Sequence, residues 1–261
     1  MYFLSIDVGT SSVKTAVFDM DGNELSTAVK TYIMENTCPG MVEVHPELYW
    51  KKTQEAIRDA LSGTVIHRNI NAVGITSQGE TLITLDRQGL PLGNAIVWLD
   101  TRAKEEAREI EEHFGSDKIY QVTGQSEVSA GYTASMILWL KKHEPERFRL
   151  TDKFLLVTDY IVYKLTGKYI SNKSLYPSTL YYDFRNERWW KEMLDFLCID
   201  ENKLPELADS GAAAGKTKSG FNNSRYYLSW CPKPKDMAKI YLLSRKICRC
   251  KSPENFFQAQ G

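Results

Sequence analysis

The sequence predicts an α/β domain built around a mixed sheet. Three observations carry that expectation. Short apolar runs joined by tight polar turns fill the first 34 positions, stripes at helical spacing follow, and from position 70 strand-like and helix-like segments alternate. A meander that gives way to alternating strands and helices produces both antiparallel and parallel neighbours. The length, 261 residues, suits one large domain or two small ones at about 150 residues per domain. A hydrophobic fraction of 43% with 25% charged residues is the mix of an ordinary folded chain.

Residues 2–7 form an apolar run that ends in the polar turn Gly9-Thr10-Ser11-Ser12. Residues 13–19 resume a strand pattern, and 24–34 read as a third strand. Between them, Asp19-Met20-Asp21-Gly22-Asn23 is hairpin chemistry, because Asp, Gly and Asn tolerate positive φ. Residues 46–61 have helical spacing, with Leu48, Trp50, Ala56, Ile57 and Leu61 as the apolar stripe. Pro46 suits the helix start and Gly63 the position past its end. Residues 70–76 read as a buried strand. Residues 82–85 and 95–99 read as two more, separated by the turn-rich stretch 87–93. Residues 103–114 form a charged amphipathic helix and 132–142 a more apolar one. Residues 154–165 read as a helix or as a strand followed by a helix. Residues 187–197 carry Trp189, Trp190, Met193, Leu194 and Leu197 as a packing face.

Composition excludes several classes of function. The chain has 33 basic and 33 acidic side chains, whereas a nucleic-acid binder needs a basic excess to meet phosphates. No run of about 18 apolar residues is present, so no membrane span is expected. The first residues lack a basic n-region, so no signal peptide is expected. Cys38, Cys198, Cys231, Cys248 and Cys250 are odd in number and scattered, which argues against a disulfide framework and for a reducing cytoplasm. His45, His67, His113 and His143 have no partners at metal-ligand spacing. Charge is uneven: residues 221–261 hold eight basic and two acidic side chains, +6, against −6 for the first 220. That shift marks a boundary near Gly220.

Three segments could carry chemistry. Asp7, Gly9, Thr10, Ser11, Ser12 and Lys14 surround the first turn. Gly9 lets the backbone approach a ligand, successive amides and hydroxyls can cradle phosphate, Lys14 adds positive charge and Asp7 could hold magnesium. An ordinary hairpin turn is the alternative. Gln78 and Glu80 follow a strand, where ligand sites of α/β domains gather, and could bind sugar hydroxyls. A solvated loop is the alternative. Trp98 could stack on a sugar face while Asp100 and Arg102 bind polar groups or pair with each other. The alternative is a core Trp and a helix-capping Asp100. A fourth segment, 210–217, nearly spells a Walker A loop, but Ser210 stands at the first glycine position and Gly211 leaves only three spacers. It is expected to be a surface turn.

Together and in this order, these segments resemble the N-terminal domain of the FGGY family of carbohydrate kinases. The stretches at 6–14, 72–81, 95–103, 131–148 and 154–174 are similar to successive stretches of that domain, nearest its xylulokinase-like branch, and the likeness covers about residues 1–220. The resemblance implies a ribonuclease H-like, actin-like ATPase fold with a mixed five-stranded sheet flanked by helices. It implies phosphoryl transfer from MgATP to a hydroxyl of a ketose or polyol. Asp7, Gly9, Thr10, Ser11, Ser12 and Lys14 then match the loop facing ATP, with Asp7 supporting Mg2+. Gln78, Gly79 and Glu80 match the substrate loop, Trp98, Asp100 and Arg102 the second wall of the sugar site, and Tyr132 a nearby aromatic position. Gly-Glu-Thr after Gln78 differs from the Met-His-Gly common in pentulose kinases.

The resemblance also implies a catalytic Asp in a glycine-rich turn beyond Gly215-Lys216, and then a second domain. Residues 221–261 show neither, and Asp236 lacks flanking glycines, so the catalytic base is left unassigned. The expectation is an incomplete kinase domain over 1–220 with an unrelated tail produced by a shift of reading frame, inactive or impaired by itself. A cleft left open by a missing domain would favour a homo-oligomer. The rival readings are a non-catalytic sugar- or phosphate-binding module and an interaction protein whose basic tail recruits an acidic partner.

Overall fold

Alternating side chains in the first 31 residues build a three-stranded meander. In this computed structural model, which describes residues 1–62 and 70–216 and the backbone of 225–228, with 36 and 37 as backbone only, β1 (Tyr2–Val8) pairs antiparallel with β2 (Ser12–Phe18), and β2 with β3 (Glu24–Thr31). Leu4, Ile6, Val8, Val13 and Val17 are buried on one face of this sheet. Asp19 shapes the β2–β3 turn, its Oδ1 accepting from the amides of Asp21 and Asn23, each at 2.9 Å.

A short ladder of β4 (Glu35–Cys38) and β5 (Met41–Val44) leads into α1 (Pro46–Leu61), which has the bounds its sequence predicts. His45 caps it, Nδ1 accepting from the Glu47 amide at 3.3 Å. The buried face differs from the expected stripe. Tyr49, Thr53, Ala56, Ile57 and Ala60 are buried, while Leu48, Trp50 and Leu61 are half-buried beside the core. The Thr15 hydroxyl donates to the Ala56 carbonyl at 2.9 Å, so α1 lies almost on β2 and small residues must fill the contact.

β6 (Ile70–Ser77) lies parallel to β1, with α1 in the crossover. β7 (Ile83–Leu85) and β8 (Ala95–Ile96) follow; β8 pairs with β5, and β7 with β9 (Lys153–Leu155). Four helices lie between β8 and β9: α2 (Lys104–Phe114), α3 (Ser116–Thr123), α4 (Thr133–His143) and α5 (Pro145–Leu150). α3 and α5 were not foreseen. Each follows a neighbour after one residue that helical backbone rejects or restarts, Gly115 at φ +76° and Glu144 before Pro145. α6 (Val157–Thr166) directly follows β9, so residues 154–165 are strand then helix. α6 joins the core under α1, whereas α2, α4 and α7 (Lys191–Leu197) share a second core containing Ile110, Ile137, Leu140, Trp190 and Met193.

The remaining strands are β10 (Ile170–Asn172), β11 (Tyr182–Asp183), β12 (Arg188–Trp189), β13 (Glu206–Ala208), β14 (Ala213–Lys216) and β15 (Arg225–Leu228). The main sheet has the order β14-β15-β6-β1-β2-β3, with six strands where five were expected. The addition comes from the segment expected to be a surface turn. Residues 209–212 turn, the Ala212 amide donating to the Asp209 carbonyl at 3.0 Å, and β14 then pairs antiparallel with β15. Ala214 is buried in the first core, which selects an extended edge strand over a free loop. β15 runs parallel to β6. The rest of 221–261, including Asp236 and three of the cysteines, lies outside the described residues, as do Gly63 and His67. Among the described residues no helix is long and apolar enough to cross a membrane.

Where the two cores meet, α6 carries the fully buried Asp159. Its Oδ2 accepts from the Leu156 amide at 2.8 Å and the Tyr176 hydroxyl at 2.6 Å. Burial outweighs these bonds and pushes the carboxyl up to about 6. The folded chain therefore keeps a proton that the unfolded chain releases near its ordinary value of 3.8. This contribution to stability is full below 3.8 and is lost as pH rises through about 6. Denaturant unfolding should show a fall of on the order of 2–3 kcal/mol across that window, absent in Asp159→Asn. Equal slopes for the two proteins would count against it.

Candidate functional site

The parallel pairing of β1 with β6 sets the turns after these two strands side by side. Val8 faces Ser77 in the register, and the Gln78 amide extends the ladder by donating to the Val8 carbonyl at 2.9 Å. A third segment joins them. The Trp98 indole Nε1 donates to Thr10 Oγ1 at 3.1 Å, and the Trp98 amide to Thr81 Oγ1 at 3.4 Å. The turn 9–12, the loop 78–81 and Trp98 therefore form one site at the carboxyl end of the parallel strands.

In the first turn the Gly9 amide donates to the Ser12 carbonyl at 2.9 Å. The turn is thus a closed hairpin and a candidate anion cradle at once. One amide closes it, and the Thr10 and Ser11 amides with the Thr10, Ser11 and Ser12 hydroxyls are the donors left for a ligand, since Thr10 Oγ1 accepts from Trp98 and keeps its own proton. Asp7, next to last in β1, stands opposite Lys14 of β2. Burial raises the Asp7 pKa, and the Lys14 charge works the other way.

In the second loop, Gln78 Nε2 donates to the Tyr49 hydroxyl at 3.0 Å, while Gln78 Oε1 is buried without a partner. Glu80 holds φ +49°, a left-handed backbone unusual for a side-chain-bearing residue and often found at binding sites. A Cβ at Gly79 would meet nothing within 4 Å, so that side of the loop is open. Tyr132 precedes α4 and donates to Gln125 Oε1 at 3.2 Å. Burial raises its pKa, and the charges of Glu127 and Glu80 add to the effect. Gly131 lets the chain before α4 pass against the Trp98 backbone, because a Cβ there would sit 2.3 Å from the Trp98 carbonyl oxygen.

Trp98 is 42% exposed, so it is not a core residue and its ring is open to stacking. Asp100 and Arg102 turn inward. Asp100 is 1% exposed and accepts from the Val42 amide at 2.7 Å and the Arg102 amide at 2.8 Å. Arg102, its side chain 3% exposed, reaches Asp100 at 2.8 Å and Glu43 at 2.7 Å. Its guanidinium lies 4.9 Å from the Trp139 ring centroid. Burial opposes the Arg102 charge, but bonds to Asp100 and Glu43 outweigh it and raise the pKa. Of the two roles open in the sequence, mutual pairing is the one the structure displays. The pair braces the segment on which Trp98 stands.

Four residues of this neighbourhood escaped sequence reasoning: Tyr32, Glu43, Tyr49 and Gly131. The spacing Pro46, Tyr49, Thr53, Ala56 and Ala60 could have placed Tyr49 on the buried face of α1. Nothing local marks the other three.

The chain's relatives have the same architecture. The N-terminal domain model of the FGGY family of carbohydrate kinases matches residues 2–224. A xylulose kinase of Staphylococcus xylosus is 31% identical over 223 residues, 85% of this chain and 46% of that protein. A glycerol kinase of Thermococcus gammatolerans is 34% identical over 222 residues, 83% of this chain and 45% of that protein. The crystal structure of a Brucella ovis xylulose kinase superposes with TM-score 0.82 at 28% identity, covering 87% of this chain and 47% of that one. The chain thus spans about half the length of the relatives it matches. Strand order, convergent loops and matched sequence agree, and the chain belongs to the FGGY family of carbohydrate kinases.

Proposed function

We propose that this chain supplies the phosphate turn and the sugar loop of an ATP-dependent kinase acting on a hydroxyl of a ketose or polyol. The observation that carries the reading is the convergence of residues 9–12, 78–81 and Trp98, tied by the Gln78–Val8 and Trp98–Thr10 hydrogen bonds. Phosphoryl transfer depends on aligning donor and acceptor and stabilising charge. Amides and hydroxyls of the turn, with Lys14, suit phosphate oxygens. Gln78, Glu80 and Tyr132 suit sugar hydroxyls, and Trp98 an apolar sugar face.

Magnesium is commonly held through one or two carboxylates together with substrate phosphates. Asp7 fits that pattern as a half-buried carboxylate near the end of β1, next to the turn 9–12. When bound, the ion neutralises charge on the phosphate oxygens. Asp7 would hold it or its waters, while the residues of the sugar loop orient the hydroxyl. No described residue is assigned as the base. A cytoplasmic setting accords with the scattered cysteines.

A non-catalytic sugar- or phosphate-binding module is the second reading, since the convergence of the turn 9–12 with the loop 78–81 would serve binding alone equally well. Calorimetry with D-xylulose, xylitol and glycerol, beside a coupled ADP-release assay, tests both. The expected result is polyol or ketose binding with turnover far below that of a full-length relative assayed in parallel. Binding with no turnover supports the module, and binding to none of the three compounds rejects both.

A further inference from the structure

Two buried tyrosines beneath the candidate site join its two loops. Tyr49, in α1, accepts from Gln78 Nε2 at 3.0 Å. Tyr32, just past β3, donates from its hydroxyl to the Gly9 carbonyl and from its amide to the Ser11 carbonyl, the latter at 3.0 Å. The two rings meet edge to face, with centroids 5.3 Å apart at 89°. A continuous path of hydrogen bonds and ring contact thus runs from Gly9 through Tyr32 and Tyr49 to Gln78. Burial raises both phenol pKa values, so both remain neutral hydroxyls at working pH.

The chemistry at each end explains what such a path can do. A trans peptide is planar, with its carbonyl and the next N–H pointing in opposite directions. By holding the Gly9 carbonyl, Tyr32 sets the direction of the Thr10 N–H, one of the turn's remaining anion donors. By holding Nε2, Tyr49 orients the Gln78 amide and leaves Oε1, which has no partner in the protein, as an acceptor short of a donor. Both tyrosines are buried, Tyr49 at 0% and Tyr32 at 7% exposure. We infer that Tyr32 and Tyr49 are positioning residues that couple phosphate binding at residues 9–12 to hydroxyl binding at residues 78–80. The identity of the two ligands rests on the proposed kinase reading, whereas the path itself rests on geometry.

The test compares the 261-residue chain with Tyr32→Phe and Tyr49→Phe, each of which removes one hydroxyl. Hydrogen exchange is read without ligand, at Gln78 and Thr81 for Tyr32→Phe and at Gly9 and Tyr32 for Tyr49→Phe. The Leu4 and Ile6 amides report global stability. Each variant should speed exchange at the far loop about fivefold beyond any change at Leu4 and Ile6, the loss of roughly one hydrogen bond. Acceleration confined to the near loop, or equal throughout the sheet, overturns the coupling. In the second measurement xylitol is titrated with and without inorganic pyrophosphate. Pyrophosphate should tighten xylitol binding to the wild type, and that increment should vanish in both variants. An increment retained in both overturns the inference. A wild type that binds xylitol under neither condition rejects the kinase reading, and the exchange result then decides the tyrosine path.

Discussion

Arg102→Met should destabilise the chain by about 3–5 kcal/mol, the cost of leaving a buried charge without its partner. The substitution keeps most of the side-chain volume but strands Asp100 and Glu43, both of which bond the guanidinium, with no cation between them. At about 2–4 °C per kcal/mol for a domain of this size, the melting temperature should drop by roughly 10 °C. Arg102→Lys should recover little, because one ammonium cannot reproduce the planar fork that serves two carboxylates. The double variant Arg102→Met, Asp100→Asn should recover part of that loss, because it removes one of the two stranded charges and keeps a side-chain carbonyl for the backbone amides that Asp100 serves. Thermal and urea unfolding check each expectation. If Arg102→Met instead melts like the wild type and loses only polyol binding, Arg102 is a ligand-binding group and the bracing role fails.

Asp7→Asn should move stability and metal-dependent binding in opposite directions. Burial raises the Asp7 pKa, so the folded chain favours the protonated carboxyl more than the unfolded chain does. Its contribution is full below the ordinary value of 3.8 and is lost as pH rises through its raised folded value. Above that folded value the native state carries the carboxylate against its burial cost, and neutral Asn should raise the melting temperature there with no gain at pH 3. The same change should weaken magnesium-dependent pyrophosphate binding by about tenfold or more, since removing even outer partners of a metal costs 10–100-fold. Calorimetry with and without magnesium reads the second effect. A variant whose stability gains nothing as pH rises from 3, or whose pyrophosphate affinity keeps its magnesium dependence, would show that Asp7 is not held in this state for a ligand.

Much of this chain is legible because the relevant forces act over a few residues. The Asp19–Asn23 turn closes with bonds inside five positions, and α1 begins at Pro46 and ends at Leu61 for reasons contained in its own caps. Gly9 and Gln78 could be singled out because each sits just past a strand. The misses share another character. α1 buries Tyr49, Thr53 and Ala60 because β2 lies close beneath it, and hydropathy alone favoured the bulkier Leu48 and Trp50. β14 is a strand because β15 offers it an edge. Asp100 could have been a ligand, a cap or a partner, and only the arrival of Glu43 and the Val42 amide at the same place selects among them.

The sequence by itself determined the opening meander, α1, the strand 70–76, the turns that carry the candidate site and the family, because local propensity, turn chemistry and ordered motifs are written in neighbouring residues. Only the tertiary structure decided that Thr10, Gln78 and Trp98 meet, that Arg102 is braced from within, and that Tyr32 and Tyr49 join the two loops. Those outcomes depend on the parallel register of β1 with β6 and on burial, which are set by contacts between residues tens of positions apart and leave no periodic trace along the chain.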